Sequence, residues 1–183
     1  MKVTGIDLAG KKENLSGIAV LEMDKVNLKN KVSLKTLYSD EEILKNIKEI
    51  HPSLIAIDAP LSLPKGRCCL ENECECAVGG HFRQAERDIR PYGRVLPLTF
   101  KGMKILTLRG IKLAKELRKE YRVIETHPRT SQKMLGFDDL KHDLGRFFKL
   151  SEDVTDHELD ASLAALTGLL YLKELLFKML LIF

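Results

Sequence analysis

Three short segments of the sequence place acidic side chains where a strand ends or a helix begins. The segments MKVTGID (1–7) and LIAID (54–58) are apolar β-type runs that end at Asp7 and Asp58. The segment DHELDASLAAL (156–166) puts His157 and Asp160 one turn apart at the start of an apolar helix. Divalent cations such as Mg²⁺ require several anionic oxygens, and carboxylates at the rim of a sheet can supply them. The pattern predicts an Mg²⁺ or Mn²⁺ site at Asp7, Asp58 and Asp160, of the kind that catalyses phosphodiester hydrolysis with two ions.

Each of these acids also has an ordinary explanation. Asp7 lies in GIDLAG, where an aspartate can form a turn. Asp58 could cap a neighbouring helix, and acids in the first turn of a helix are favoured by its dipole. Glu125 ends a further predicted strand, RVIE (122–125), and could be a ligand, a general base or a structural cap. The metal hypothesis depends on all of these side chains meeting at one edge of a sheet.

Three arginines predict a surface for phosphate groups. Arg83, Arg87 and Arg90 follow at i, i+4 and i+7 in a helix predicted over 81–90, so they would form one stripe. Such a stripe could hold the phosphates of a nucleic acid. Glu86 and Asp88 interrupt it, which leaves a solvated, salt-bridged face as the alternative.

All four cysteines fall in one irregular segment. Cys68, Cys69, Cys74 and Cys76 have the spacing C-C-x4-C-x-C, with His81 nearby. Structural zinc is one interpretation, although adjacent cysteines seldom bind one ion together. Disulfides and ordinary thiols are the others.

The composition is that of a globular protein with one domain. The 183 residues are 44% hydrophobic and 31% charged, and the net charge of +4 is compatible with nucleic acid without requiring it. The start of the chain shows no signal segment, so we expect a cytoplasmic protein. The apolar stretch 163–183 contains Lys173, Glu174 and Lys178, which are costly inside a bilayer. We therefore expect no membrane anchor, but a buried helix or one that covers a partner subunit in a homodimer.

The order of predicted elements is that of an α/β protein. Three antiparallel strands (2–7, 16–23 and 32–37) precede a helix capped at Asp40 and a buried strand (54–58). An insertion subdomain with the cysteines (60–104) follows, and a helix (103–121), the strand at 122–125 and short helices near 130–135 and 139–148 lead to a long helix from Thr155. We predict a single ribonuclease H-like domain: a mixed five-stranded sheet with flanking helices and a helical insertion after the fourth strand.

Five segments resemble the family called domain of unknown function 429. They are GIDLAG (5–10), LIAIDAPLSLP (54–64), HFRQAERDIR (81–90), ETHPR (125–129) and HELDASLAALTG (157–168). The resemblance implies a ribonuclease H-like fold and a nuclease activity, which for this family is itself an inference.

A more distant resemblance is to the RuvC type of Holliday-junction resolvase. That type also ends its first strand in Asp, has an acid after its fourth strand and can begin its last helix with H-x-x-D-A. The similarity implies Asp7, Asp58, His157 and Asp160 as metal ligands and nucleic acid as the partner. The second acid is Glu in the resolvases, and they lack the insertion, so specificity for junctions is not implied.

Two other functions remain open from the sequence. An actin-like ATPase or small-molecule kinase also starts with G-I-D, but it needs a second glycine-rich phosphate loop that this sequence does not show. A non-catalytic, zinc-stabilised nucleic-acid-binding protein would use the same acids only as caps. Cleavage and ATP-hydrolysis assays distinguish these functions.

Overall fold

A computed structural model of the chain describes residues 1–23, 31–75 and 77–173. Its centre is a five-stranded mixed sheet with the strand order β3-β2-β1-β4-β5. β1, β2 and β3 pair antiparallel, whereas β1, β4 and β5 run parallel. This arrangement confirms the predicted ribonuclease H-like fold class. The strands are β1 (Lys2–Asp7), β2 (Ser16–Glu22), β3 (Lys31–Leu37), β4 (Leu54–Asp58) and β5 (Val123–Thr126).

Helices cover both faces of the sheet. Two of them begin at capping boxes. In each, the side chain of Ser39 or Thr155 accepts the backbone N–H of a glutamate three residues later, and the side chain of that glutamate accepts the backbone N–H of the capping residue. The helices are α1 (Asp40–Ile50), α2 (Gln84–Ile89), α3 (Lys101–Leu117), α4 (Pro128–Met134), α5 (Leu140–Leu144) and α6 (Asp156–Leu172). Two 3-10 turns, Ala77–Gly79 and Arg90–Tyr92, flank α2.

Alternate side chains of the central strands enter two separate cores. Val3 and Leu54 pack with α6 on one face, whereas Ile6, Ile55 and Ile57 pack with α1 and α3 on the other. Full burial of one such side chain contributes about 1.5–3 kcal/mol. Both faces of β1 and β4 are therefore dry, and polar groups can reach solvent only where these strands end.

Two glycines let α6 lie directly on the sheet. A Cβ atom on Gly5 would stand 2.0 Å from the carbonyl oxygen of Ala161, and one on Gly17 would stand 2.0 Å from that of His157. Both contacts are with helix backbone, which cannot rotate away. The start of α6 is thereby held over the ends of β1 and β2.

We expect Gly5→Ala to destabilise the protein by about 2–3 kcal/mol, the upper range for overpacking a core. The added methyl group must push α6 off β1. Urea unfolding measures the change, and Gly102→Ala in α3 is the control, because the nearest atom to a Cβ there would be Phe100 Cε1 at 3.7 Å, an ordinary contact. Equal stability of the two variants would contradict the close contact of α6 with β1.

Several predicted boundaries differ in the structure. Ser39 caps α1, and Asp40 is its first helical residue. The helix predicted over 81–90 was wrong at its start, since Arg83 is extended and its N–H donates to Glu86 Oε2 at 2.7 Å, so α2 begins at Gln84. The helix predicted over 139–148 is reduced to Leu140–Leu144, beyond which Gly145 caps it.

The described part of the chain contains no helix long and apolar enough to cross a membrane. Residues 174–183, to which much of the predicted dimer contact belongs, lie outside the described residues. The homodimer and the subdomain status of the insertion (60–104) stay predictions.

Candidate active site

The two strand-end aspartates lie side by side. Asp7 of β1 and Asp58 of β4 are register partners in parallel strands, which are about 4.8 Å apart. Each points to the α6 face, because Gly5 and Ala56, two residues earlier, lie against that helix. The sequence prediction that both acids share one rim is thus reflected in the geometry.

The first turns of α6 bring two more polar side chains to this rim. His157, whose backbone rests on Gly17, places Nδ1 2.6 Å from Asp7 Oδ2. Asp160, one turn after His157's neighbour Asp156, interacts electrostatically with both Asp7 and Asp58, so its carboxylate lies near theirs. The structure therefore brings Asp7, Asp58, His157 and Asp160 together, as the spacing predicted.

The carboxyl groups of this cluster disfavour one another's charge. Burial, and then the charges of Asp7, Asp160 and Glu125, raise the pKa of Asp58 well above its ordinary value. Burial also raises the pKa of Asp7, against the opposing bond and charge of His157. The pKa of Asp160 is raised by burial and by Asp7, although Arg129 opposes the shift. Raised pKa values in adjacent acids indicate a site that lacks positive charge.

One oxygen of the cluster marks where a cation would fit. Within the described part of the chain, Asp160 Oδ1 is buried and has no hydrogen-bond partner, while Asp160 Oδ2 makes a long contact with Arg129 at 3.5 Å. A buried carboxylate oxygen without a donor is costly, and a divalent cation would compensate for it. Asp7, Asp58 and Asp160 thus form a donor set of the hard-oxygen type that Mg²⁺ and Mn²⁺ prefer.

The acidic cluster is wider than a compact single-ion site. Among the described residues, the one trio of candidate ligand atoms that all lie within 4.8 Å of one another is formed by cysteines. A single ion bound by Asp7, Asp58 and Asp160 together would therefore require these carboxylates to move closer to one another.

Glu125 is held in an ion-pair network. Arg83 Nη2 lies 2.5 Å from Glu125 Oε1 and also pairs with Glu86, and Arg83 Nη1 donates to Glu125 Oε2 at 2.8 Å. The N–H of Leu61 donates to the same Oε2 at 2.8 Å. Burial alone would lower the pKa of Arg83, but the hydrogen bonds and charges of both glutamates raise it. These bonds favour the structural cap among the roles considered for Glu125.

The predicted arginine stripe is not one helix face. Arg83 stands before α2, is 8% exposed and faces the two glutamates. Arg90 belongs to the 3-10 turn that follows α2, and both Arg87 and Arg90 are exposed. The reason is that α2 starts at Gln84, later than predicted, so Arg83 lies in the extended segment before the helix and its side chain turns inward to Glu86. A phosphate-binding role stays a prediction for Arg87 and Arg90.

The cysteine segment is folded around a buried arginine. Arg67 donates to the carbonyl oxygens of Cys69 at 3.0 Å and Gly80 at 2.8 Å, and also to that of Glu71. Near it, the Sγ atoms of Cys68, Cys69 and Cys74 lie within 4.8 Å of one another, a cluster that could hold a metal. Cys68 is also disulfide-bonded, and Cys76 lies outside the described residues.

Sequence reasoning missed the cation that stands over the carboxylates. Arg129 follows Pro128 at the start of α4, and its positive charge opposes the rise in the pKa of Asp7, Asp58 and Asp160. A basic residue four positions after a strand-end acid, in ETHPR, was a signal that could have suggested it.

Comparisons with known proteins establish the fold. No family model matches the chain and no curated protein matches it, so the resemblance to domain of unknown function 429 stays a prediction. The chain is similar to RuvC of T. thermophilus in complex with Holliday junction substrate, with 15% identity, 95% of this chain and 96% of that chain covered, and a TM-score of 0.57. It also aligns with the Fowlpox virus resolvase bound to Holliday junction DNA at 12% identity, covering 96% and 99% of the two chains, with a TM-score of 0.49. At such identity the likeness to RuvC shows a common ribonuclease H-like fold.

Proposed function

We propose that this protein is a metal-dependent nuclease that hydrolyses phosphodiester bonds with two Mg²⁺ or Mn²⁺ ions. The observation that carries the proposal is the convergence of Asp7, Asp58 and Asp160, with one buried oxygen of Asp160 that has no partner among the residues described. When bound, two divalent ions would activate water for attack and stabilise the leaving oxygen.

The chain's own residues have distinct roles in this proposal. Asp7, Asp58 and Asp160 would hold the ions through their carboxylate oxygens, with Asp7 shared between the two metals as the proposed role. His157 would orient Asp7 through the 2.6 Å contact between His157 Nδ1 and Asp7 Oδ2, or it would transfer a proton through its exposed imidazole. Glu125 would act indirectly, because its oxygens already accept bonds from Arg83 and Leu61.

Nucleic acid is the proposed substrate. The fold is shared with a resolvase that was solved with junction DNA. On this chain, the turn that carries Arg90 contacts α4, which begins beside Asp160. Arg87 and Arg90 are exposed there and would neutralise substrate phosphates.

Cleavage of labelled substrates tests the proposal directly. Fluorescein-labelled single-stranded, duplex and four-way-junction DNA, and single-stranded RNA, are incubated with Mg²⁺, Mn²⁺ or EDTA. We expect cleavage of at least one substrate with metal and none with EDTA. ATP hydrolysis without cleavage would support the kinase-like alternative, and tight binding without either activity would support the non-catalytic one.

We also propose that the cysteine segment holds structural zinc in the reduced protein. Three sulfur atoms lie close enough to share one ion, and the bonds of Arg67 to neighbouring carbonyls hold that loop in place. Zinc in closed protein sites usually has four ligands, and Cys76 or His81 is available in the sequence as the fourth.

We expect one zinc per chain in protein purified with reductant and without chelator, and loss of the metal in the Cys69→Ser/Cys74→Ser variant. Elemental analysis gives the stoichiometry, and a thiol titration on the same sample counts reduced cysteines. Absence of zinc together with two thiols per chain would instead assign a stable disulfide to this segment.

A further inference from the structure

We infer that Arg129 is a substrate-binding residue of the carboxylate site: it pairs with Asp160 in the absence of metal and holds the scissile phosphate when metal is bound. The inference rests on the proposed nuclease function and adds a residue to it. Four observations carry it: the anchoring of α4, the position of the guanidinium, the weakness of its contacts, and the contrast with other arginines.

Arg129 projects from a well-anchored helix start. His127 caps α4 by accepting the N–H of Thr130, and His127 Nδ1 lies 2.9 Å from Thr130 Oγ1. Pro128 is the first helical residue, where its fixed φ suits a helix. Pro128 and Thr130 are both buried, and α4 packs on α6. The Cα of Arg129 is thus held beside the first turns of α6, which carry Asp160.

Its guanidinium lies beside Asp160 but is weakly held. The side chain is 65% exposed, and its contacts are long: 3.5 Å to Asp160 Oδ2 and 3.3 Å to Gln132 Oε1. Exposed ion pairs of this kind contribute little to stability. The position of Arg129 is therefore better explained by a ligand than by the fold.

Two other arginines of the chain show what a structural role looks like. Arg83 and Arg109 are at most 8% exposed and donate short bonds to several acceptors. Arg109, for example, joins Asp40 to the carbonyls of Ala9 and Tyr38. Arg129 shares neither the burial nor the short bonds, so it can change partners.

The exchange of partners follows from charge. A divalent cation at Asp160 would repel the guanidinium and replace it as the counter-charge. A substrate phosphate at this site would then offer oxygens that match the planar fork of arginine, which binds phosphate with two parallel bonds. Arg129 would in this way stabilise the charge that accumulates on the phosphate during hydrolysis.

The experiment separates metal binding from turnover. Mn²⁺ binding is measured by calorimetry without substrate, and single-turnover cleavage is measured with the best labelled substrate at saturating Mn²⁺. We expect Arg129→Ala to bind Mn²⁺ at least as tightly as wild type, because a competitor is removed, but to cleave about 100-fold more slowly, as when one charge-stabilising donor is lost. Arg129→Lys should be intermediate, since it keeps the charge and loses the fork.

Lys133→Ala is the matched control, because Lys133 is exposed one turn further along α4, and it should cleave at the wild-type rate.

DNA binding gives a second measurement. The slope of log binding constant against log salt concentration, measured for duplex DNA with Ca²⁺, should be smaller by about 0.9 in Arg129→Ala, the value for one phosphate contact. Wild-type cleavage in Arg129→Ala, or a parallel fall in Mn²⁺ affinity, would overturn the inference alone. A wild-type protein that neither binds Mn²⁺ nor cleaves would overturn the proposed function and this inference together.

Discussion

Asp7→Asn should reduce metal-dependent cleavage by more than 100-fold. Losing an outer-shell partner of a metal ligand typically costs about 10–100-fold, and Asp7 is proposed as a direct ligand between two ions. The change removes an anionic oxygen at nearly constant volume. Single-turnover cleavage at saturating Mg²⁺ and calorimetric Mn²⁺ titration measure the two expected losses.

The fold should survive this substitution. Burial raises the pKa of Asp7, so ionising this group costs stability in the metal-free protein. A carboxyl group whose pKa is higher in the folded than in the unfolded protein lowers the free energy of unfolding most at a pH above its folded pKa. This cost disappears as the pH falls below the pKa of the unfolded protein, near 3.8. At neutral pH and in EDTA, Asp7→Asn should therefore unfold in urea no earlier than wild type.

Asp153→Asn is the charge-matched control, because Asp153 is exposed outside the site. It should retain wild-type cleavage and Mn²⁺ affinity. Retained cleavage in Asp7→Asn would exclude Asp7 as a ligand and remove the main support for the two-ion site.

Arg83→Met should destabilise the protein by about 3–5 kcal/mol, the cost of removing one partner from a buried charge network. The substitution keeps an apolar stem but leaves Glu86 and Glu125, which are 9% and 31% exposed, without their counter-charge. Urea unfolding gives the free energy. The exposed neighbour provides the control, since Arg87→Met should change stability by less than about 0.5 kcal/mol.

A double-mutant cycle locates the loss. Arg83→Met, Glu125→Gln and their combination should be strongly non-additive, because the two side chains share a bond network. Glu125→Gln should also leave Mn²⁺ affinity unchanged if Glu125 serves to brace the insertion against β5. A large loss of Mn²⁺ affinity in Glu125→Gln would instead indicate that Glu125 is a metal ligand.

Much of the fold and of the acidic site follows from local sequence. The apolar runs before Asp7 and Asp58 specify strands, and a strand can expose a charge only where its burial ends. Thr155 and Glu158 specify the start of α6, and the small residues after Asp160 permit its close contact with the sheet. These signals act over a few residues, so they can be recognised without tertiary contacts.

The roles of the arginines were decided by tertiary structure. Arg83 and Glu125 are 42 residues apart, and Arg129 and Asp160 are 31 apart, so no local pattern joins them. Spacing suggested that Arg83 would share a solvent-facing stripe with Arg87, yet the insertion buries it against two acids. An arginine has the same helix propensity and the same charge whether it meets water, a glutamate or a phosphate. Its partner is therefore set by how distant segments pack, which a single sequence does not encode in its spacing.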